Sequence, residues 1–439
     1  MYIAVDDTDS RKGMCTTYVL SEIILRSGLD LIGYPSLVRL NPAIEHKTRG
    51  NGALIANLGK GKGEPRKIGS SHGSWIFSYP GEETSANGRE LMDLASEIIG
   101  EIAELQEEET NPGIVASEKK FDPSFYWKAV REEVTIAEAE RFINQQGGSF
   151  RKVKNGRGII GSAAAISWPG SNVTYEVLNY RFPSGESIGS ERKMGAAVMA
   201  DGIEGSFNNI DHSNNYAAIF PKERTPVVFG VRGTDPDALL NGCNRIIEEY
   251  SIGVDRSILF STNQATDDHI IKDPVNLLPG HSYSIEGTIA GNVCAIKGGH
   301  YFTYLQYGNS GIKLAAFEPT KEFRKVFSSL AIGDRVCVYG TYKDNCLNVE
   351  KMRVITVSSL YSKAPPVCPK CDGVTHSKGH NDYRCNQCGY RSSMAVYRLK
   401  ERGISPGLYD VPVIARRHLS RPFAMRNHET KELEREVSA

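Results

Sequence analysis

The chain opens MYIAVDDTDSRKGMCTTYVLSEIIL. Asp6, Asp7 and Asp9 follow a short apolar run directly, and a glycine, two threonines and an apolar stretch come after them. Three carboxylates at a strand end repel one another unless a cation joins them. Beside a helix start they can hold Mg²⁺ through oxygen ligands, while the helix N-terminus and Gly13 offer N–H groups to phosphates. That is the division of labour of a nucleotide site, reached without a Walker A pattern. An Asp-rich turn that merely caps the helix is the alternative, and it accounts for one or two aspartates better than for three. A second stretch, RLNPAIEHKTRGNGAL, sets Arg39, His46, Lys47 and Arg49 around a glycine-containing turn. Such cations clamp the phosphates of ATP or RNA, or else make a basic surface hairpin.

The stretch CPKCDGVTHSKGHNDYRCNQCGY carries Cys368 and Cys371, then Cys385 and Cys388, two CxxC pairs with thirteen residues between them. Two such knuckles present four thiolates tetrahedrally to Zn²⁺, and a site closed by four protein ligands is structural. A redox dithiol pair is the competing use. Gly389 follows the second knuckle, whereas Asp372 precedes Gly373 in the first, so the first turn is expected to be looser. The other five cysteines stand singly, which points to reduced thiols and not to a disulfide framework.

These groups need elements to hold them. At 439 residues and 40% hydrophobic composition the chain is too long for one core. Met1 to Val5 predicts a strand, and Leu20, Ile23 and Ile24 share a helix face behind it. Leu91, Leu94, Ala95, Ile98, Ile102 and Leu105 recur at helical spacing. Val227 to Val231 predicts a strand, followed by a helix with Asp235 as N-cap and Pro236 in its first turn. This is α/β or α+β material to about residue 265. From Ser282 to Val357 short β runs with glycine turns predict a small five-stranded antiparallel barrel of OB-fold size, the kind that binds single-stranded nucleic acid. Its candidate contacts are Tyr301, Phe302, Tyr304, Phe317, Lys321 and Arg324, with barrel core as the alternative for the aromatics. Ser362 to Val367 reads as a linker.

Basic and acidic residues balance at 52 each, so net charge does not announce a nucleic-acid binder and its distribution must decide. Glu97 to Glu109 is an acidic run. The stretch from Arg391 to Arg426 is basic. Neither a secretory leader nor an uninterrupted apolar span of membrane length is present, so a cytoplasmic protein without membrane partners is expected.

Taken in order, DDTDS-x-x-GMCTTY, RLNP with KTRGNGA, TNQ-x-TD-x-H, EPTKEFR, the barrel and the ribbon resemble one family, the archaeal 2-agmatinylcytidine synthetases. These modify the wobble cytidine of an isoleucine tRNA with a CAU anticodon. The resemblance implies a multidomain α/β and α+β enzyme: a kinase-like catalytic domain over 1–195, interleaving with a ferredoxin-like domain over 196–275, then an OB-fold over 280–358, a zinc ribbon over 366–395 and a basic segment over 396–439. It implies ATP-dependent conjugation of agmatine to C2 of the cytosine, with release of AMP. Asp6, Asp7 and Asp9 would bind Mg-ATP together with Gly13, Thr16, Thr17, Lys47 and Arg49. Thr16 would be the autophosphorylated threonine, with Thr17 as its adjacent rival. Glu176, Asp201 and Asp211 are carboxylates suited to the agmatine guanidinium, and Asn208 and Asn209 to agmatine or the target base. Phe302, Lys321, Arg324, Arg416, Arg417 and Arg421 would hold the tRNA. The reading of another class is a non-catalytic single-strand-binding protein on barrel and ribbon, with a nucleotide-sensing N-terminal part; a kinase-like phosphotransferase is a third. The acidic run near Glu104 to Glu109 and the loop from Gly59 to Ser71 receive no role.

Overall fold

The apolar run after Met1 forms β1 (Tyr2–Asp6), whose Ile3, Ala4 and Val5 are fully buried. Helix α1 (Thr16–Arg26) begins directly after the carboxylates, and β2 (Ser36–Arg39) and β3 (Gly52–Lys62) flank the basic turn. Next come α2 (Gly88–Ile102), capped by the Asn87 side chain, β4 (Gly113–Ser117), α3 (Ser124–Arg131) and α4 (Ile159–Ser167). The α/β part is completed by β5 (Thr174–Tyr180), α5 (Ser190–Asp201), β6 (Val227–Gly233), α6 (Pro236–Glu249) and β7 (Arg256–Thr262). Asp235 caps α6 by accepting from the Asp237 and Ala238 N–H groups. The computed structural model describes residues 1–48, 50–183, 188–221 and 224–425. Arg49, Arg426 and the tail beyond Asn427 therefore lie outside the described residues.

One twisted sheet runs through this whole part. β1 lies between β3 and β4 at one end, and β5 lies between β6 and β7 at the other. The two ends meet at β2, which pairs antiparallel with β3 (Leu37 with Leu54) and parallel with β7 (Leu37 with Thr262). Residues 59–71, read as a loop, continue the sheet instead: the end of β3 turns into a hairpin of Arg66–Ser71 and Ser74–Tyr79 whose first strand pairs with β7. Both faces are covered. One apolar core joins the sheet to α1, α2, α5 and α6, and a second joins it to α3 and α4. The second core is seated by glycines: a Cβ on Gly161 would stand 1.9 Å from Asp6 Oδ2, so only glycine lets α4 approach the carboxylate end of β1 so closely.

The β-rich region closes into a barrel. β8 (Ser282–Ile289), β9 (His300–Tyr307), β10 (Ser310–Ala316), β11 (Arg335–Lys343) and β12 (Cys346–Thr356) pair in the circular order 8-9-10-12-11-8, with β10 and β12 parallel. Helix α7 (Glu322–Ser328) plugs one end with Phe323 and Phe327. Along β9, Thr303 and Leu305 point inward, and Phe302 and Tyr304 lie on the outer face. The linker expected at Ser362 to Val367 is in part structured, because Tyr361–Ala364 pairs with Val396–Leu399 as a two-stranded stalk that carries the cysteine ribbon.

Past the ribbon, β13 (Gly407–Asp410) adds to β12. The chain then returns to the α/β part: the Ala265 N–H donates to the His418 carbonyl at 2.8 Å, the Asp267 N–H donates to the Leu419 carbonyl at 2.9 Å, and Leu419 is buried in the α3–α4 core. The basic segment expected to grip RNA is thus, over residues 411–423, woven into the body. Its attachment is reinforced by two buried polar contacts between barrel and body, the ion pair of Lys351 with Asp267 at 2.7 Å and the hydrogen bond of His269 Nε2 with Glu350 at 3.1 Å. Among the described residues, no helix is long and apolar enough to cross a membrane.

Candidate active site at the sheet seam

Where β1, β2 and β5 end near the seam, a cavity of about 920 Å³ opens. β1 delivers Asp6 to its lining, and a left-handed turn at Asp7 (φ 60°) carries the chain outward past Asp9. The loop is braced from behind by the acidic run, which now has a role. Thr110 Oγ1 donates to the Asp9 carbonyl at 2.9 Å, Lys12 pairs with Glu107 at 2.7 Å, and Arg11 pairs with Glu109 at 3.6 Å. Gly13 faces the Glu104 carboxylate and is outside the cavity lining, so it is not placed to cradle phosphates. Thr16 and Thr17 are in the cavity wall at the first turn of α1, where backbone N–H groups have no intrahelical acceptor. The Thr17 hydroxyl contacts Cys15 Sγ at 2.9 Å.

The acids are costly to hold there. Burial, and then the neighbouring Asp7, push Asp6 up to about 8, so at neutral pH it keeps its proton unless a cation arrives. Burial also raises Asp7, opposed by Arg157, whose Nη2 is 3.0 Å from Asp7 Oδ2. The three carboxylates do not converge on a point. Among the described residues the four cysteines are the one group of three or more ligating side chains that does. This still fits Mg²⁺, which takes one or two carboxylates and fills its other positions with water and substrate phosphates.

Cations share the cavity. Arg39, His46, Lys47, Arg416 and Arg417 line it. Arg39 Nε is buried without an acceptor among the described residues, and burial lowers the guanidinium although Glu176 opposes this. The nearness of Arg39, with burial, holds His418 well below the usual imidazole range, so that ring stays neutral. Burial lowers Lys47, and its ammonium reaches the Pro42 carbonyl. A third group lies deeper: Glu176, 2% exposed, accepts from Arg232 Nε at 2.9 Å and from Gln264 Nε2 at 2.7 Å. Together these place acids, cations and a hydroxyl in one space.

Other expected contacts sit elsewhere. Asn208 lines the cavity and accepts from Arg416. Asn209 and Asp211 do not line it; the Asn209 amide nitrogen and the Asp211 carboxylate are engaged within the fold, while Asn209 Oδ1 is buried without a partner among the described residues. The Asn209 amide donates to Ser206 Oγ at 2.9 Å, and Asp211 accepts from the Asn214 amide at 2.9 Å and the Ile414 N–H at 3.1 Å. Asp201 is outside the lining too and faces His212 at 3.2 Å. Phe302 is on the barrel, with Lys313 Nζ 4.2 Å from its ring centre. Lys321 and Arg324 are tied to Glu318 at 3.3 and 3.7 Å. The Arg421 backbone N–H donates to Asp267 Oδ1 at 2.8 Å, and its guanidinium donates to the Met425 carbonyl at 3.1 Å. Arg157, Arg232, Gln264 and His418 were missed as site residues. For Arg157 a signal existed, since GRGIIGSAAAIS announces a tightly packed helix with an arginine at its entrance.

The ribbon is a separate centre. Cys368 Sγ lies 3.4 Å from Cys388 Sγ, Cys371 Sγ lies 3.4 Å from Cys385 Sγ, and all four sulfurs fall within 4.8 Å. Tetrahedral Zn²⁺ with bonds of about 2.3 Å needs sulfurs roughly 3.8 Å apart, so the set fits zinc. The first knuckle is not looser than the second: Asp372 (φ 55°) adopts the same left-handed turn as Gly389 (φ 74°), and each returns an N–H to the first cysteine carbonyl of its pair.

Comparison with known proteins follows this geometry. Residues 2–155 match the model of the TiaS TCKD domain, residues 156–269 the TiaS FLD domain, and residues 365–404 the TiaS C-terminal zinc ribbon domain. The isoleucine-tRNA 2-agmatinylcytidine synthetase TiaS of Thermoplasma volcanium is 47% identical over 96% of this chain and 97% of its own. The corresponding Archaeoglobus fulgidus protein is 34% identical over 99% of both. Among solved structures, a complex of TiaS with its isoleucine tRNA and ATP superposes with a TM-score of 0.79 at 32% identity. A complex of TiaS with the same tRNA, AMPCPP and agmatine superposes with 0.77 at 31%, and each covers 96% of both chains. The seam between the first two matches is the one that β2 closes, and the likeness extends over nearly the full length: the chain belongs to the TiaS family of isoleucine-tRNA 2-agmatinylcytidine synthetases.

Proposed function

We propose that this protein joins agmatine to C2 of the wobble cytidine in the CAU-anticodon isoleucine tRNA, driven by ATP, so that the modified base pairs with adenine. The observation that carries the reading is the single cavity in which three carboxylates, the Thr16 hydroxyl at a helix start and several cations meet, in a chain of this family. Its volume is ample for a nucleotide with a second ligand.

The chemistry sets the roles. The C2 oxygen of cytosine is a poor leaving group, so it must be activated through ATP before an amine displaces it. One or two of the carboxylates of Asp6, Asp7 and Asp9 would hold Mg²⁺, which when bound neutralises phosphate charge. Arg39 and Lys47 supply cations to the phosphates from the basic turn, with Arg49 on the same turn in sequence. Thr16 stands at the α1 dipole as the hydroxyl to be phosphorylated, and Thr17 is held by Cys15. Glu176 is a carboxylate of the lining suited to a guanidinium, with Arg232 and Gln264 as its polar neighbours, and Asn208 and Arg416 line the same cavity. Arg417 bridges towards Glu350 of the barrel at 3.6 Å, linking the RNA-handling part to the cavity.

The remaining assignments belong to the same reading. Residues 1–195 act as a kinase-like unit interleaved with a ferredoxin-like one over 196–275. The barrel within 280–358 serves as an OB-fold that presents Phe302, Tyr304 and Lys321 to RNA, and residues 366–395 are a structural zinc ribbon. The wobble base must leave its stack to reach the cavity. The setting is the cytoplasm.

Labelled agmatine incubated with the protein, ATP and the CAU-anticodon tRNA tests this directly. Label in the tRNA, dependent on ATP, is the expected result. Binding of tRNA without transfer would return the chain to the single-strand-binding reading.

A further inference from the structure

Arg157 has no place in the roles above, yet its setting is specific. The turn that carries it is fixed on both sides. Val153 N–H donates to the Pro112 carbonyl at 2.9 Å, Gly158 N–H donates to the Asn111 carbonyl at 3.0 Å, and Arg157 N–H donates to Asn155 Oδ1 at 2.9 Å. The side chain therefore starts from a rigid point at the entrance of α4. One nitrogen, Nη2, makes both of its protein contacts, to Asp7 Oδ2 at 3.0 Å and to the Glu109 carbonyl at 3.2 Å. Among the described residues nothing accepts from Nη1 or Nε. About a quarter of the side chain (26%) remains exposed, and the residue lines the cavity.

A guanidinium is a flat fork of five donors, able to hold one anion on one edge and a second on another. Resting on the nucleotide reading of this cavity, we propose that Arg157 bridges Asp7 and the nucleotide phosphates: Nη2 keeps Asp7 oriented while the other N–H groups bind a phosphate oxygen. Arg157 then does two things. Before nucleotide arrives it is the fixed counter-charge of the carboxylate trio and competes with a bare divalent ion for Asp7. Once nucleotide is present it adds a charge-assisted contact to the phosphate, so metal and nucleotide are favoured as a pair over metal alone. A lysine keeps the charge but has one compact head, which cannot span both anions.

The test uses the full chain with Arg157→Gln and Arg157→Lys, and two titrations. Mn²⁺ alone is followed by calorimetry, and ATP is titrated in excess Mg²⁺. In Arg157→Gln, Mn²⁺ alone is expected to bind several-fold more tightly, because its competitor has gone, while ATP weakens roughly tenfold or more. In Arg157→Lys, Mn²⁺ binding is expected to stay near wild type while ATP weakens as in the glutamine variant. Melting curves report folding. Should the glutamine variant fail to fold, the lysine variant decides alone, and unchanged ATP affinity in it overturns the bridge. Weaker or unaltered Mn²⁺ binding with unaltered ATP affinity in Arg157→Gln overturns it as well and leaves a purely structural ion pair. A wild-type chain that binds no ATP would overturn the nucleotide reading itself, and the bridge with it.

Discussion

The ribbon and the seam cavity both gather groups that suit a cation, but they support those groups in opposite ways. Around the four cysteines there is hardly any core: Val367, Val374, Met394 and Tyr397 are exposed, while little beyond Cys368, Thr375, Tyr383 and Cys385 is buried. So small an apolar interior does not hold a fold by itself, and the metal must supply the missing free energy. At the seam the order is reversed. Ile3, Val5 and Leu54 are fully buried behind the aspartates, and that rigid sheet forces a carboxylate into a setting that raises it to about 8. In the ribbon the ion makes the structure, whereas at the seam the structure makes a place that wants an ion.

That contrast can be broken most forcefully by removing zinc. A strong chelator, or Cys385→Ser, should unfold the ribbon and its stalk, since structural zinc contributes about 10 kcal/mol or more. Proteolysis of residues 361–399 would report this, and ATP affinity at the seam should not change. Loss of both together would mean that the two centres are not independent. Asp7→Asn comes next. It should lower agmatine transfer on the order of 10³-fold while tRNA affinity, measured by filter binding, stays close to wild type; parallel loss of both would argue against a metal role.

Asp267→Asn, which strips the buried Lys351 of its charge partner, should cost about 3 kcal/mol in a denaturant melt. The Glu350 network sharpens the comparison through pH. Burial raises the Glu350 carboxyl, but His269 and then Arg417 outweigh it and hold the group down to about 2, from an ordinary 4.5. A depressed acid stabilises the fold above its unfolded value, so its contribution is complete above pH 4.5 and is lost as pH falls towards about 2. Glu350→Gln should flatten the acid limb of the melting curve over that window. The smallest effect is expected at Thr110→Val, which keeps shape but drops the bond to the Asp9 carbonyl; a loss of about 1 kcal/mol and a few-fold slower transfer would show that the acidic run braces the loop.

What was legible in the sequence follows from how local each feature is. Four cysteines within one short stretch reveal a metal site because their spacing is the geometry. Asp235 before Pro236, and Leu91 to Ile102 at helical spacing, likewise reveal helices from neighbouring residues alone, and the short β runs with glycine turns reveal the barrel strands. The aspartates revealed a charge problem, but not its setting. Arg157 meets Asp7 because its turn is pinned to residues 111 and 112 beside β1, and Arg232 and Gln264 meet Glu176 across β5, β6 and β7; the two groups share one cavity because β2 joins β3 to β7, a pairing between residues 36–37 and 261–262 that no local pattern encodes. The partners of the C-terminal basic residues were illegible for a related reason. Charge in sequence says nothing about which carbonyl or carboxylate will face it, and the side chains of Arg416, Arg417 and Arg421 meet Asn208, Glu350, Thr341 and the Met425 carbonyl.

Residues 413–419 supply part of the cavity wall after the chain has passed through barrel and ribbon. A polypeptide emerging from the ribosome has its aspartates and sheet strands long before that wall, so the cavity stays unfinished until the barrel and the ribbon have been made. A chain that stops short of residue 413 therefore carries the aspartates but lacks the wall that Arg416, Arg417 and His418 supply.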